Sequence, residues 1–555
     1  MRKAIALILT FLLMIACAGC SKQAEQETAP DTATGSAAPE SAATESTAAE
    51  SAAAEPAAEE SPDSLKSDGF RYEGNGFDTP EDAVLYYLAG LKKMDIDQML
   101  GAFAWETQVA HWSLRERIVY MKGIDPVTIP NMPNSGDLLI SANLEKIRGS
   151  MASYICIGLE IYLLRDNHFY NSPTMSLQFH EDAEADDYIR LFDTDRIKKL
   201  AGMTSVTFYN PDDVTQASSA PDKARKSRQD NYVVQNHWYG ADEVRDVVAV
   251  VNLGDEMIGV APTAARYGDR WYLVSISSVT QNILGIEIYQ RAIRLLPDEM
   301  QESLKYLTPV MIADLPDVSQ TEIRYEGEGF NSPEEAVACY MDGLKNQNIQ
   351  QMLSAFAWET QTAHYSMKEQ LLRTGSIYMD ALVRMPSPDA TYASANLHAI
   401  RYRQGSLICN TVRSYILETS AEAYKAIGMR LEISDNEALE AFLRYFDNDR
   451  AEKLKSMTNY RFFNAGDLLG ERYNQTTIDR LLLTYGADEL REVVGVAEMG
   501  DETLICSPLV ARYGEKWYIV NCSGILFSWL NIDTYHQAFV SVKGSFEDAV
   551  QQYSR

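Results

Sequence analysis

A duplication constrains this chain more than any other feature. YEGNGF at 72–77 returns as YEGEGF at 325–330, and SANL at 141–144 returns at 394–397, both 253 residues later. YGADEVRDVV from Tyr239 returns as YGADELREVV from Tyr485, and ARYGDRWYLV from Ala265 as ARYGEKWYIV from Ala511, both 246 residues later. A period this long is far above that of a solenoid repeat and reads as two tandem domains. The expected bounds are 67–298 and 320–545, joined by a linker at 299–319. The offset changes between about 205 and 238, where the first copy alone carries Lys223-Ala-Arg-Lys-Ser-Arg228. Length changes live in loops, so this basic cluster reads as a solvated loop.

Each copy opens with the same helical punctuation. Thr79-Pro80-Glu81-Asp82 and Ser332-Pro333-Glu334-Glu335 supply an N-cap, a Pro at the first helical position and an acid at the third. The stripes Val84, Tyr87, Leu88, Leu91 and Val337, Tyr340, Met341, Leu344 follow at helical spacing. A second helix is capped by Asp95 or Asn348 and carries Ile96, Met99, Leu100, Phe103 or Ile349, Met352, Leu353, Phe356. Apolar runs near 152–165 and 405–418 fit a strand or a buried helix, and periodicity does not separate the two. Each copy closes on three runs parted by Gly254-Asp255 and Gly268-Asp269, or by Gly500-Asp501 and Gly514-Glu515. These are hairpin signatures of an antiparallel meander. The expected class is α+β: two tandem copies of a domain with N-terminal helices packed on a C-terminal antiparallel sheet.

The opening [ST]-P-[ED]-[DE]-A-V and the closing G-[DE]-[RK]-W-Y-[LI]-V resemble the nuclear-transport-factor-two-like superfamily of cystatin-like, cone-shaped domains. That family includes ketosteroid isomerase and many bacterial lipoprotein modules. The resemblance covers about 30 residues at the start and about 35 at the end of each copy. It implies a conical cavity, in which the family's enzymes place an Asp or a His. Each copy is larger than the family's usual domain, so either the middle is a large insertion or the fold differs from the family's.

The N-terminus begins MRKAIALILTFLLMIACAGCSK. A basic start, a short apolar stretch and Ala18-Gly19-Cys20 read as a lipoprotein signal over 1–20, with Cys20 lipidated and Cys17 as the other option. Residues 21–66 are rich in Ala, Glu, Ser and Thr and read as a disordered tether. Localisation is then the extracytoplasmic face of the cell membrane, through a lipid anchor. A net charge of −30 speaks against nucleic acid as a partner. Cys156, Cys339, Cys409, Cys506 and Cys522 form no metal or redox motif and read as buried thiols, with a Cys506–Cys522 disulfide as the alternative. No metal or cofactor is expected.

FAWETQVAHW at 103–112 and FAWETQTAHY at 356–365 raise the question of chemistry. The candidate pocket residues are Trp105, Glu106, Gln108 and His111, with Trp358, Glu359, Gln361 and His364. If the second helix continues, Phe103, Thr107 and Ala110 extend its buried stripe and Trp105 lies on the other face. Glu106 and His111 could then serve as an acid/base pair in a cavity. A Glu and a His five residues apart do not converge on one helix face, so the corner of a helix pair is the competing reading and no catalytic residue is assigned. The expected function is a non-catalytic binding module for a small ligand, wall fragment or envelope protein. The alternatives are an enzyme with His111 and His364 as bases, and a structural or sensory spacer.

Overall fold

Thr79 and Ser332 each accept a hydrogen bond from the amide three residues on, and both repeats begin there as helices. The computed structural model describes residues 71–124, 130–164, 177–178, 181–192, 194–216, 221–278, 280–281, 284, 292–318, 323–374, 376–377, 383–417, 431–433, 435–529 and 538–553. The signal, Cys20 and the tether lie outside them. The stretch from Phe70 onward packs as one unit.

The first repeat runs α1 (Pro80–Lys93), α2 (Ile96–Leu100), α3 (Glu106–His111), α4 (Leu114–Met121), the long α5 (Asp137–Leu163), α6 (Asp182–Ile189) and α7 (Thr194–Ala201). Strand β1 (Ser205–Tyr209), α8 (Pro211–Gln216) and α9 (Pro221–Tyr239) follow. Then come β2 (Glu243–Asp246), β3 (Val248–Asn252), β4 (Met257–Val260), β5 (Thr263–Tyr267), β6 (Arg270–Ser275), β7 (Arg294–Leu295), α10 (Asp298–Leu304) and β8 (Met311–Asp314). The second repeat runs α11 (Pro333–Lys345), α12 (Ile349–Leu353), α13 (Glu359–His364), α14 (Met367–Thr374), the long α15 (Ala393–Leu417), α16 (Asn436–Arg444) and α17 (Arg450–Leu454). It closes with β9 (Thr458–Asn464), α18 (Ala465–Leu469), α19 (Gln475–Tyr485), β10 (Glu489–Met499), β11 (Glu502–Cys506), β12 (Leu509–Tyr513), β13 (Lys516–Asn521), α20 (Ile525–Trp529), β14 (Val540–Lys543) and α21 (Phe546–Tyr553).

The class is α+β, with antiparallel sheets. In the second repeat β10 pairs with β12 along its first half and with β9 and β11 along its second, so one eleven-residue strand carries the whole sheet. In the first repeat Val247 interrupts the same path. It leaves a three-stranded sheet β2-β5-β6 and a five-stranded sheet β8-β1-β3-β4-β7. The turns at Gly254, Gly268, Gly500 and Gly514 all have φ between +60° and +92°, which is the glycine signature that the hairpin reading needs.

Two expectations change. Residues 299–319 are not a plain linker: α10 (Asp298–Leu304) runs into them, and β8 pairs with β1 through Met311 and Phe208 to extend the first repeat's sheet. The basic cluster is not a loop but the start of α9, and Arg228 from it is buried, donating to Thr215 and Asp212. The ambiguous apolar runs resolve as α5 and α15, of 27 and 25 residues. Among the described residues no helix is long and apolar enough to cross a membrane. Cys156, Cys339, Cys409, Cys506 and Cys522 are free thiols.

Gly90 and Gly343 show how tightly the first two helices of each repeat meet. A Cβ on Gly343 would stand 2.4 Å from the Met352 amide nitrogen, and one on Gly90 would stand 2.7 Å from that of Met99. Gly to Ala inside a helix ordinarily gains stability. Here Gly343→Ala should instead cost about 1–3 kcal/mol, because the backbone of α12 must move away. Urea unfolding of the variant checks this, and a gain in stability would refute the close approach.

The long helices α5 and α15 pack on each other. Cys156 Sγ donates to the Ala395 carbonyl at 3.2 Å, and Cys409 Sγ to the Ala142 carbonyl at 3.3 Å. Between these, Gly149 faces Tyr402, whose ring would be 3.2 Å from an added Cβ. The contacts advance by seven residues on one helix while retreating by seven on the other, so the helices run antiparallel. Gly149 and Tyr402 are also each other's equivalents in the duplication, which places them on a local two-fold axis. The same exchange appears in two-residue strands. Gly123–Ile124 pairs with Leu431–Glu432, and Leu177–Gln178 with Ser376–Ile377. Ile96 N donates to Ser394 and Ile349 N to Ser141, again reciprocally. The seam between the repeats is therefore an isologous interface inside one chain.

Candidate functional site

The FAWETQ segments do not continue the second helix. α2 ends at Leu100 because the backbone of Ala102–Ala104 joins the edge strand β6. Leu273 N donates to the Ala102 carbonyl at 2.9 Å, and Ala104 N to the Leu273 carbonyl at 3.0 Å. Ile519 of β13 does the same with Ala355 and Ala357. This corrects the side-chain directions expected from a continuous helix. Trp105 and Trp358 are fully buried, stack on Phe103 and Phe356 at 4.9 and 4.7 Å, and donate Nε1 to the carbonyls of Leu100 and Leu353. The indole groups fill the space between the helix pair and the sheet.

Glu106 and Glu359 are engaged by backbone. Glu106 accepts from the Tyr72 and Glu73 amides at 2.8 and 3.1 Å, while Glu73 accepts from the amide and hydroxyl of Thr107. Glu359 and Glu326 repeat this lock with Tyr325, Glu326 and Thr360. Burial pushes the Glu106 carboxyl up, against the amide bonds that lower it. His111 and His364 are exposed, with Nδ1 at the Thr107 and Thr360 carbonyls and rings 5.2 Å from Tyr267 and Tyr513. Glu and His thus point to different surroundings. Gln108 and Gln361 are buried, and both amide atoms of Gln361 lack a protein partner.

The polar cluster that the sequence does not announce lies at the seam. Arg148 of α5 donates to Tyr325 and lies 3.5 Å from Asp97, which also accepts from Tyr325 and sits 3.0 Å from His398 Nε2. Arg401 of α15 donates to Tyr72 at 2.6 Å, Glu145 at 3.1 Å and Gln350 at 3.3 Å, and Tyr72 donates to Glu145 at 2.7 Å. Arg148 lies 4.2 Å from the Tyr72 ring centre, and Arg401 lies 4.8 Å from that of Tyr325. The equivalences are Tyr72 with Tyr325, Arg148 with Arg401, Asp97 with Gln350, and Glu145 with His398. Two buried guanidinium groups thus meet two carboxylates, both supplied by the first repeat, Asp97 beside Arg148 and Glu145 beside Arg401.

Burial holds His398 below the usual imidazole range. Burial pushes Asp97 up, but the charges of His398 and Arg148 and the Tyr325 hydroxyl outweigh it and hold its carboxyl at about 2. An unfolded His takes a proton near 6.5. The folded one resists, so stability falls as pH drops through that value. The depressed Asp97 adds a second loss only below pH ~4. Melting temperature should therefore decline from pH 7.5 to 5, and His398→Gln should flatten that decline. An identical slope in the variant would rule out His398 as its source.

Asp97 also borders an open groove of about 750 Å³ between the repeats, whose walls include Lys92, Lys93, Asp95, Thr391 and Ser394. Neither this groove nor a smaller one of about 390 Å³ at Glu498–Thr503 is lined by a FAWETQ residue. Among the described residues no group of three His, Cys, Asp or Glu side chains is placed to hold a metal. No protein-family profile matches the chain, and no curated protein matches it. Among solved structures, it is similar to a cystatin-like protein from Ruminococcus gnavus ATCC 29149 at 13% identity, over 86% of this chain and 95% of that one, with a TM-score of 0.49.

Proposed function

We propose that this chain is an extracytoplasmic lipoprotein, anchored through Cys20, that works as a non-catalytic binding module built from two cystatin-like copies. The groove at the seam carries the reading. It is open, it takes walls from both repeats, and its lining carries both signs of charge, Lys92 and Lys93 with Asp95 and Asp97. Such a surface suits a polar ligand bearing both signs of charge, as a peptide or a peptide-bearing wall fragment does. Support for the non-catalytic part comes from Glu106 and Glu359, whose oxygens already serve backbone amides. Support for the anchor comes from the Ala18-Gly19-Cys20 stretch and the acidic, Ala-rich tether.

The test is titration of soluble wall peptides into the full chain, beside a capture from intact envelopes. Binding that weakens about tenfold in Lys92→Glu or Asp97→Asn supports the groove. Wall peptides that do not bind the wild-type chain, with no envelope partner captured, would overturn the reading in favour of a spacer.

A further inference from the structure

Among the described residues, buried charges along the α5–α15 crossing are matched except at one end. At the matched end, Arg384 donates Nε to Glu160 at 2.7 Å, with the Glu160 side chain only 1% exposed. Under the duplication, Arg384 stands where the first repeat has Asn131, and Glu160 stands where the second has Arg413. The opposite end therefore replaces an acid by a base. It also adds Lys146, where the second repeat has Ala399. The Asn131 amide, set with its oxygen toward the cations, accepts from Arg413 Nη1 at 3.2 Å and Lys146 Nζ at 3.0 Å. Lys146 also donates to Asn410 at 2.9 Å.

No carboxylate among the described residues answers these two cations. Arg413 is 2% exposed, and among the described residues its Nε and Nη2 have no acceptor. Cys409 is no counter-ion: its Sγ donates to the Ala142 carbonyl, and burial pushes the thiol up to about 12. Burial, joined by the neighbouring Arg413, brings Lys146 down to about 8, and burial brings Arg413 down to about 10. A buried charge without a partner is costly enough that chains rarely keep one. Nε and Nη2 form the side-on edge of the guanidinium, which matches two oxygens of one oxyanion. Arg384 uses that Nε for Glu160 at the matched end.

We infer that Arg413, Lys146 and Asn131 form a buried binding site for an oxyanion, a carboxylate or phosphate group supplied from outside the chain. The oxyanion takes the place that the Glu160 carboxylate fills at the other end. The group is either a free small ion or the acidic end of a larger molecule.

Calorimetric titration of the full chain with sodium phosphate and with sodium acetate, at constant ionic strength after exhaustive dialysis, tests the site. The wild type should take up one equivalent of at least one ion. Arg413→Lys keeps the charge but loses the paired edge, and should weaken uptake about tenfold. Asn131→Arg with Lys146→Ala and Arg413→Glu installs the residues of the matched end, and should weaken it by ~100-fold or more. Mass spectrometry of what the purified protein releases on denaturation separates the sources. An acid-bearing organic molecule points to the larger ligand, and ion uptake without one points to the free ion. Absence of saturable uptake in the wild type, with nothing released, overturns the inference, as does equal uptake by Arg413→Lys. Since that variant is decisive alone, misfolding of the triple variant does not protect the idea.

Discussion

Arg401→Met should destabilise the folded chain by about 3–5 kcal/mol, measured by urea unfolding. The substitution nearly conserves volume, so the loss comes from charge. Glu145, buried on α5, loses its guanidinium partner and keeps the Tyr72 hydroxyl, while Gln350 loses a donor. Removing one member of a buried pair leaves the other's desolvation unanswered, and this penalty exceeds what the pair itself contributes. The double variant Arg401→Met with Glu145→Leu should therefore be more stable than the single one. A single-variant loss below about 1 kcal/mol would mean that water reaches Glu145 and that the seam is looser than its geometry.

The second large effect is expected at the corner. Trp358→Ala should cost about 3–5 kcal/mol, since it empties a fully buried indole site and removes the bond to the Leu353 carbonyl. Trp358 is also 5.5 Å below the Arg401 guanidinium, so the corner and the seam share a wall. Trp358→Phe should cost less, because stacking on Phe356 survives while the Leu353 carbonyl loses its donor. A tryptophan lining a ligand pocket would behave in the opposite way, with little change in stability and a loss of binding. Stability within about 1 kcal/mol of wild type would favour that role.

Much of the frame is legible in the residues. The caps at Thr79, Asp95, Ser332 and Asn348 each accept the amide three residues on. These are local effects, and local sequence encodes them. The long helices were less readable because α5 is buried on most of its circumference and so lacks a polar stripe to contrast with an apolar one. α2 stops at Leu100 because a strand 170 residues away captures its backbone, which no local pattern records. The candidate site shows the same division. Glu106 and His111 stand out as letters, yet their partners are backbone groups. Arg148, Arg401, Lys146 and Arg413 look like polar interruptions of apolar runs. Each also bonds a residue of the other repeat, Arg148 with Tyr325, Arg401 with Glu145, Lys146 with Asn410 and Arg413 with Asn131, so no single repeat explains them. Comparing copies could have flagged them: positions where a buried acid in one repeat faces a base in the other are visible in the aligned letters.

The reciprocal seam has a genetic consequence. Separate identical subunits meeting across a two-fold axis would receive every substitution twice. A new acid beside one arginine would appear beside the other as well, and charge could change only in steps of two. With both halves on one chain, each position mutates alone. Asp97 can hold Arg148 while its equivalent is Gln350, and Glu145 can hold Arg401 while its equivalent is His398. The same freedom leaves one end of the helix crossing closed by Glu160 and the other open to a charge from outside. Joining the halves therefore lets a symmetric frame hold unlike sites.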